Sequence, residues 1–420
     1  MSATRARTAA LAQPGAPLVT LAMLCAVNAF NYVDRSMIAL ALPQMKAELA
    51  LSDTLTGVIA GLPFALCYAA CAIPAAWWAD RGNRRNLLAA AFAFWSAVTA
   101  VTSLVHSGWQ LAAARFTLGA GEAAGHPTTA SLIADSFPLR LRTAAFSALS
   151  ASAYLGPLAG FPAVGWLIAH HGWRAAYAAT GVAGVAFAVL FFAVVREPAR
   201  QGPTQGPVRQ GFAAAVGRLL AIPSYRLVVL AGGFNAINQG AHLTWGPTFL
   251  ARVRHLDPQQ TGAVFGVLRG LSGLAGAAVV AVLVSALVRR DVRWQMRAAV
   301  AVAAMPFLSD SLFLLAGADW AWRTGLALSA FFTAMAVALS YPLYVNVAPS
   351  NLRATASAVY FLVVGLMGLI LGPFCVGALS DAFGAIAPAM VAVSATALVS
   401  CALLGWAMRH WANDVACVDA

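Results

Sequence analysis

Twelve apolar stretches, each about twenty residues or longer, follow one another along this 420-residue chain, and about 20 apolar residues are what a helix needs to cross the hydrocarbon core of a bilayer. In the first half they run Leu18 to Leu42, Thr54 to Ala79, Leu87 to Val105, Trp109 to Ile133, Ala144 to Ala169 and Ala175 to Val195. In the second half they run Leu227 to Leu250, Gly262 to Val288, Ala298 to Ala316, Thr324 to Val347, Ala354 to Leu379 and Ala385 to Met408. An even number of crossings brings the chain back to the side on which it began, so both termini are expected on one face of the membrane. Composition agrees: 61% of residues are hydrophobic and 10% charged, against about 25% charged in soluble domains. The expected fold is an all-α integral membrane protein of twelve transmembrane helices.

The net charge of +12 raises the question of nucleic acid, and the placement of the basic residues answers it. Of the 26 Lys and Arg, 18 fall in the tails and the even-to-odd helix connections, five in the opposite loops and three inside spans. That alternation is the positive-inside pattern and puts both termini in the cytoplasm of a cell inner (plasma) membrane. No exposed basic domain is left to hold phosphates, so no nucleic-acid partner is expected. Arg5 and Arg7 before an apolar segment resemble a signal peptide, but the segment is too long and carries Asn31, Asp34 and Arg35, which marks an uncleaved first helix. The cysteines show no paired ligand spacing, so neither a metal site nor a cofactor is expected.

Residues 196–224 are the one long hydrophilic connection, with a surface helix expected near Phe212 to Leu220. They divide the chain into a tail (1–17), a six-helix bundle (18–195), this linker, a second six-helix bundle (225–408) and a second tail (409–420). Internal similarity supports the division. Pro138-x3-Arg142 recurs as Pro349-x3-Arg353 at an offset of 211, and Gly160-x4-Gly165 as Gly372-x4-Gly377 at 212. Arg84-Arg85 recurs as Arg289-Arg290, but Ser285 and Ala286 replace the charged pair expected before it. Parallel repeats about an axis along the membrane normal give pseudo-two-fold symmetry.

Polar residues inside the spans mark the candidate site. Asn28, Asn31, Tyr32 and Arg35 share one face of the first span, beside Asp34, and Arg115, Gly119, Glu122, His126 and Thr129 line up on the fourth. Charge at mid-bilayer costs at least about 2.5–3.5 kcal/mol, so such groups face a cavity and pair with one another. Two readings stay open: static ion pairs, Asp34 with Arg35 and Arg115 with Glu122, or carboxylates that load and release protons as their surroundings change. Asn235, Asn238, Gln239 and His242 form a polar seam in the seventh span, expected to supply neutral substrate contacts. Arg269 and Asp310 also fall within spans without an assigned role. Arg269 could snorkel or meet a carbonyl, and Asp310 could sit near the outer mouth.

Asp80-Arg81-Gly82-Asn83-Arg84-Arg85 after Ala76-Trp77-Trp78-Ala79 resembles the helix two-to-three loop of the major facilitator superfamily of secondary transporters, with the Asn variant of its spinster-like branch. The likeness continues through Asn31-Tyr32-x-Asp34-Arg35, Arg115-x3-Gly119-x-Gly121-Glu122-Ala123, Ser131-Leu132-Ile133-Ala134-Asp135, Arg196-Glu197-Pro198 and Gly372-Pro373. Organic-anion symporters of the same superfamily share the first and second of these. The resemblance implies alternating access, with Asp34 and Glu122 as proton-linked switches and Arg115 as their partner. It also implies a cytoplasmic latch of Asp80, Arg81, Arg84 and Arg85, and we count Arg142 and Arg353 as further gating candidates. Substrate contacts are expected from Arg35, Arg115, Asn31, Tyr32, His126 and the seventh-span seam.

The resulting expectation is a proton-coupled secondary transporter, monomeric and embedded in membrane lipid, for an amphipathic organic anion such as a lysolipid. The alternatives are a small-carboxylate symporter and a drug/proton antiporter. Enzyme motifs such as His-Glu-x2-His or Gly-x-Ser-x-Gly are missing from the sequence, as is a Gly-x4-Gly-Lys nucleotide loop.

Overall fold

The computed structural model describes residues 16–198, 212–288, 290–291, 293–349 and 352–419. The first half holds α1 (Ala16–Leu49), α2 (Asp53–Arg81), α3 (Arg84–Thr102), α4 (Gly108–Glu122 continued by Gly125–Ser136) and one helical run, Leu139–Val194. At about 1.5 Å per residue that run of 56 residues would far exceed a bilayer of about 30 Å. Gly172 interrupts it with φ +79, a conformation that favours glycine. Residues 139–171 are therefore α5 and residues 173–194 are α6.

The second half holds α7 (Pro223–Val253), α8 (Pro258–Val279 extended through a π turn to Val288), α9 (Arg293–Ala303 and Met305–Leu315) and α10 (Asp319–Asn346). It closes with α11 (Arg353–Leu366, a π turn, then Gly372–Phe383) and α12 (Ile386–Ser394 and Thr396–Asp419). Among the described residues, eight helices are long and apolar enough to cross a membrane, or nine with the bent pair that leads into α7. The count reaches twelve because one of the eight is the double-length run and because α3 and α4 are more polar. Helix α3 opens on Arg84-Arg85, and α4 carries Arg115 and Glu122 and breaks at Ala123-Ala124. The connecting helix Phe212–Ala221 meets α7 at 95°. The rest of the expected linker, 199–211, lies outside the described residues.

Helix starts follow local chemistry. Ser52 accepts from Leu55 N at the start of α2, Asn83 from Asn86 N at α3 and Ser107 from Gln110 N at α4. Asp257 and Gln260 form a capping box at α8. In the loop before α3, Asn83 is thus the N-cap.

Packing separates the two ends of the molecule. At the end away from the termini, one apolar core draws on both halves: Met37, Leu42 and Phe161 with Trp245, Phe249, Phe265 and Met390. Toward the termini the core divides. One cluster holds Leu24, Phe92, Trp95 and Phe191 of the first half, and another holds Tyr225, Leu343, Tyr344 and Trp411 of the second. Across the shared part the backbones approach closely. A Cβ at Gly61 of α2 would strike the carbonyl oxygen of Leu369 on α11, and one at Gly262 of α8 that of Phe161 on α5. The halves are sealed together at one end and part toward the other.

Candidate functional site

The seal is reinforced by charge. Asp53, at the first turn of α2 and 4% exposed, accepts two hydrogen bonds of 2.7 Å from the Arg252 guanidinium at the end of α7. It also accepts from Ser380 Oγ at 2.7 Å and pairs with Lys46. Asp381 of α11 returns the arrangement, accepting from Thr54 N at 2.7 Å, Asp53 N at 3.1 Å and Thr54 Oγ1 at 2.6 Å. The two backbone N–H groups are donors at a helix N-terminus without an intrahelical partner, where a carboxylate is favoured. Sequence reasoning singled out none of these residues. The available signal was an acid in the first turn of α2 and a base in the last turn of α7, on the same face of the membrane.

Deeper in the first half, Arg35 Nε donates to Glu122 Oε2 at 2.5 Å, with Glu122 1% exposed. Arg115, also buried, donates from Nη2 to the carbonyl of Ala60 at 2.9 Å. Neither pairing matches the expected ones. Arg115 and Glu122 stand two turns apart on one helix, about 10.5 Å along its axis, whereas α1 brings Arg35 alongside Glu122. Asp34 is buried and turned toward Trp95 and Thr99 of α3, not paired with Arg35. Phe64 of α2 lies between the two guanidiniums, 5.0 Å from that of Arg35 and 5.1 Å from that of Arg115, and Tyr68 lies 5.0 Å from Arg35. The aromatic faces favour both cations. Phe64 and Tyr68 share a face of α2 at i, i+4, a spacing visible in the sequence but not read as part of the site.

This cluster is incompletely bonded. Asp34 Oδ1, Glu122 Oε1, Arg35 Nη2, Arg115 Nε and Trp95 Nε1 are buried with no hydrogen-bond partner among the described residues. Buried groups left this way are costly, and in a membrane interior they mark ion or substrate paths. Around them, Asn31 is buried, Tyr32 half-buried and His126 exposed, the last within electrostatic range of Arg35. Asn28 is used elsewhere, donating to Ser152 Oγ at 2.9 Å and Leu149 O at 3.2 Å on α5.

The α7 seam departs from expectation. Asn238 donates to Asp310 Oδ2 at 2.9 Å, and His242 Nε2 lies 2.7 Å from Ser394 Oγ and 3.3 Å from Asp310 Oδ2. These groups face α9 and α12, within the second half, where Asp310 is fully buried. Asn235 is buried and Gln239 half-buried.

In the helix two-to-three loop, Arg84 is 1% exposed and pairs with Asp135. It donates to Glu197 Oε1 at 2.7 Å, Ser131 Oγ at 3.0 Å and Pro198 O at 3.0 Å. The Arg85 backbone N–H donates to Glu197 Oε2 at 2.8 Å, and Arg81 lies over the Trp77 ring at 4.3 Å. These partners belong to the first half and to the start of the linker that follows it. The side chain of Asp80 lies outside the described residues, as does Arg289. Arg142 Nε donates to Phe137 O at 3.1 Å, and Arg353 is exposed at the start of α11.

Two six-helix halves around a charged interior, sealed at one end and parted at the other, define a membrane transport protein. The Major Facilitator Superfamily model matches residues 24–373, and the chain belongs to that family. Within it the likeness points to the spinster branch. Human protein spinster homolog 1 is 28% identical, over 88% of this chain and 74% of its own length. An MFS-type efflux pump of Mycolicibacterium smegmatis is 31% identical, over 86% of this chain and 83% of its own. The probable galactarate/D-glucarate transporter of Bacillus subtilis is 24% identical, over 90% and 89%. Among solved structures, a bacterial homolog of the human lysosomal transporter spinster, inward-facing and unoccupied, superposes with TM-score 0.81 at 22% identity, over 96% of this chain and 99% of that one.

Proposed function

We propose that the protein is a proton-coupled secondary transporter of an organic anion, working by alternating access with both termini in the cytoplasm. The observation that carries this is the cluster on α1 and α4, where two carboxylates and two guanidiniums keep unbonded polar atoms in the membrane interior. A carboxylate whose bond to a cation can be exchanged for a proton is suited to coupling, and the cations are suited to an anionic solute. In this reading Asp34 and Glu122 take the protons. Arg35 and Arg115 are the cationic partners of these two acids, Arg84 and its neighbours form the cytoplasmic latch, and the present state opens inward. Spinster and aldarate-transporter likeness both favour anions, a lysolipid being the amphipathic example and a sugar acid the compact one. The efflux-pump relative favours export as the second reading.

Proteoliposomes with an imposed pH gradient test the proposal. Labelled D-glucarate or lysophosphatidylglycerol should accumulate, and a protonophore should abolish the accumulation. Flux unaffected by the gradient or the protonophore would remove proton coupling, and movement driven only outward would favour the export reading.

A further inference from the structure

Three arginines lie within the spans: Arg35, Arg115 and Arg269. The first is bonded to Glu122 and the second to the Ala60 carbonyl. Arg269, on α8, differs from both. Its Nη1 is buried without a hydrogen-bond partner, and no ion pair reaches it among the described residues. Asp310 lies within electrostatic range, but its Oδ2 accepts from Asn238 and sits beside His242. The acid therefore offsets the charge of Arg269 from a distance and leaves the guanidinium unbonded.

The position of Arg269 places that donor at the boundary between the halves. The next residue, Gly270, packs on Leu158 of α5, and Gly273 packs on the ring of Tyr154, also of α5, across the boundary between the halves. Tyr154 is within electrostatic range of both Arg269 and Tyr32, and Tyr32 of Arg35. Arg35, Tyr32, Tyr154 and Arg269 are thus each within electrostatic range of the next, from a cation in one half to a cation in the other. Arg35 Nη2 is likewise buried and unbonded. The Phe265 ring, 5.1 Å from the Arg269 guanidinium, supports it from its own helix.

We propose that Arg269 is the second half's anchor for the anionic group of the substrate, a carboxylate or a phosphate held between it and Arg35 with the two tyrosines alongside. The proposal rests on the organic-anion reading above and adds to it the residue through which the second half recognises charge. It moves recognition in that half from the α7 seam, whose Asn238 and His242 are already bonded, to α8. An anion that collects donors from both halves binds most tightly when the halves are drawn together, so its occupancy biases the equilibrium between open and closed states.

Calorimetric binding to purified protein in detergent tests this without requiring transport, using D-glucarate as the carboxylate probe and lysophosphatidylglycerol as the phosphate probe. Arg269→Gln should weaken whichever anion the wild type binds by roughly 10- to 100-fold, the range for losing hydrogen bonds to a charged group. Arg269→Lys should recover part of it. The melting temperature of both variants should stay close to wild type, because Arg269 makes no hydrogen bond or ion pair among the described residues and loses only its contact with the Phe265 ring and the distant charge of Asp310. Weakening for glucarate alone assigns the site to carboxylates, and for the lysolipid alone to phosphates. Wild-type affinity in Arg269→Gln would overturn the anchor, as would a wild type that binds neither anion but carries a cationic dye such as ethidium. Normal anion binding dependent on Arg269, with no proton-driven flux, would support the anchor and strike the coupling proposal instead.

Discussion

Arg84 shows how much one side chain can organise. Its guanidinium joins the start of α3 to Ser131 and Asp135 on α4 and to Glu197 and Pro198 beyond α6, so one fork ties two helices of the first half to the start of the linker. Removing one member of a buried ion pair costs about 3–5 kcal/mol. Glu197 is 24% exposed, so solvent takes up part of that, and Arg84→Ala is expected to destabilise the protein by about 2–3 kcal/mol. Thermal unfolding in detergent checks it, and Arg84→Lys should recover less than half, because an ammonium cannot reproduce the fork. Every residue of this network was visible in the sequence as a motif: the charged loop, Ser131 to Asp135, and Arg196-Glu197-Pro198. What the sequence did not carry was that the three meet. The same holds in the membrane. The polar faces of α1 and α4 were legible from helical spacing, but whether Glu122 bonds Arg35 or Arg115 depends on where two helices cross.

At the scale of elements, the spans were legible because about twenty apolar residues is a physical length, and the α5–α6 boundary shows itself as Gly172. The contacts between halves were not legible. Arg252 and Asp53 are 199 residues apart, Asp381 and Asp53 328 apart, and nothing local encodes their meeting. Glycine at the half boundary has a clearer consequence. Helices α5 and α8 approach so closely at Gly262 that a side chain there would displace the Phe161 carbonyl. Gly262→Leu is therefore expected to prevent the seal at the end away from the termini while leaving each half folded. Spin labels replacing Trp109 and Trp320, exposed residues at that end of the first and second halves, should report a longer distance in the variant than in the parent. An unchanged distance would show that the seal tolerates the added volume.

At the scale of the molecule, one shared core at one end and two separate cores at the other make a hinge-like body. The ion cluster on Asp53 holds the shared end closed, and the incompletely bonded acids lie deeper in the first half. Alternating access requires that the seal be reversible and that protonation or substrate decide which end is closed. Hydrogen-bonded ion pairs and small-residue packing suit this, since they form and break without leaving large apolar surfaces in water. The central claim is that Glu122, released from Arg35 by a proton, couples that choice to the pH gradient. The most direct test compares two modes of transport in the same proteoliposomes: accumulation driven by a pH gradient, and exchange of labelled for unlabelled solute at equal pH. In Glu122→Gln, the account predicts that exchange persists while gradient-driven accumulation is lost. Accumulation at the wild-type level in that variant would contradict it.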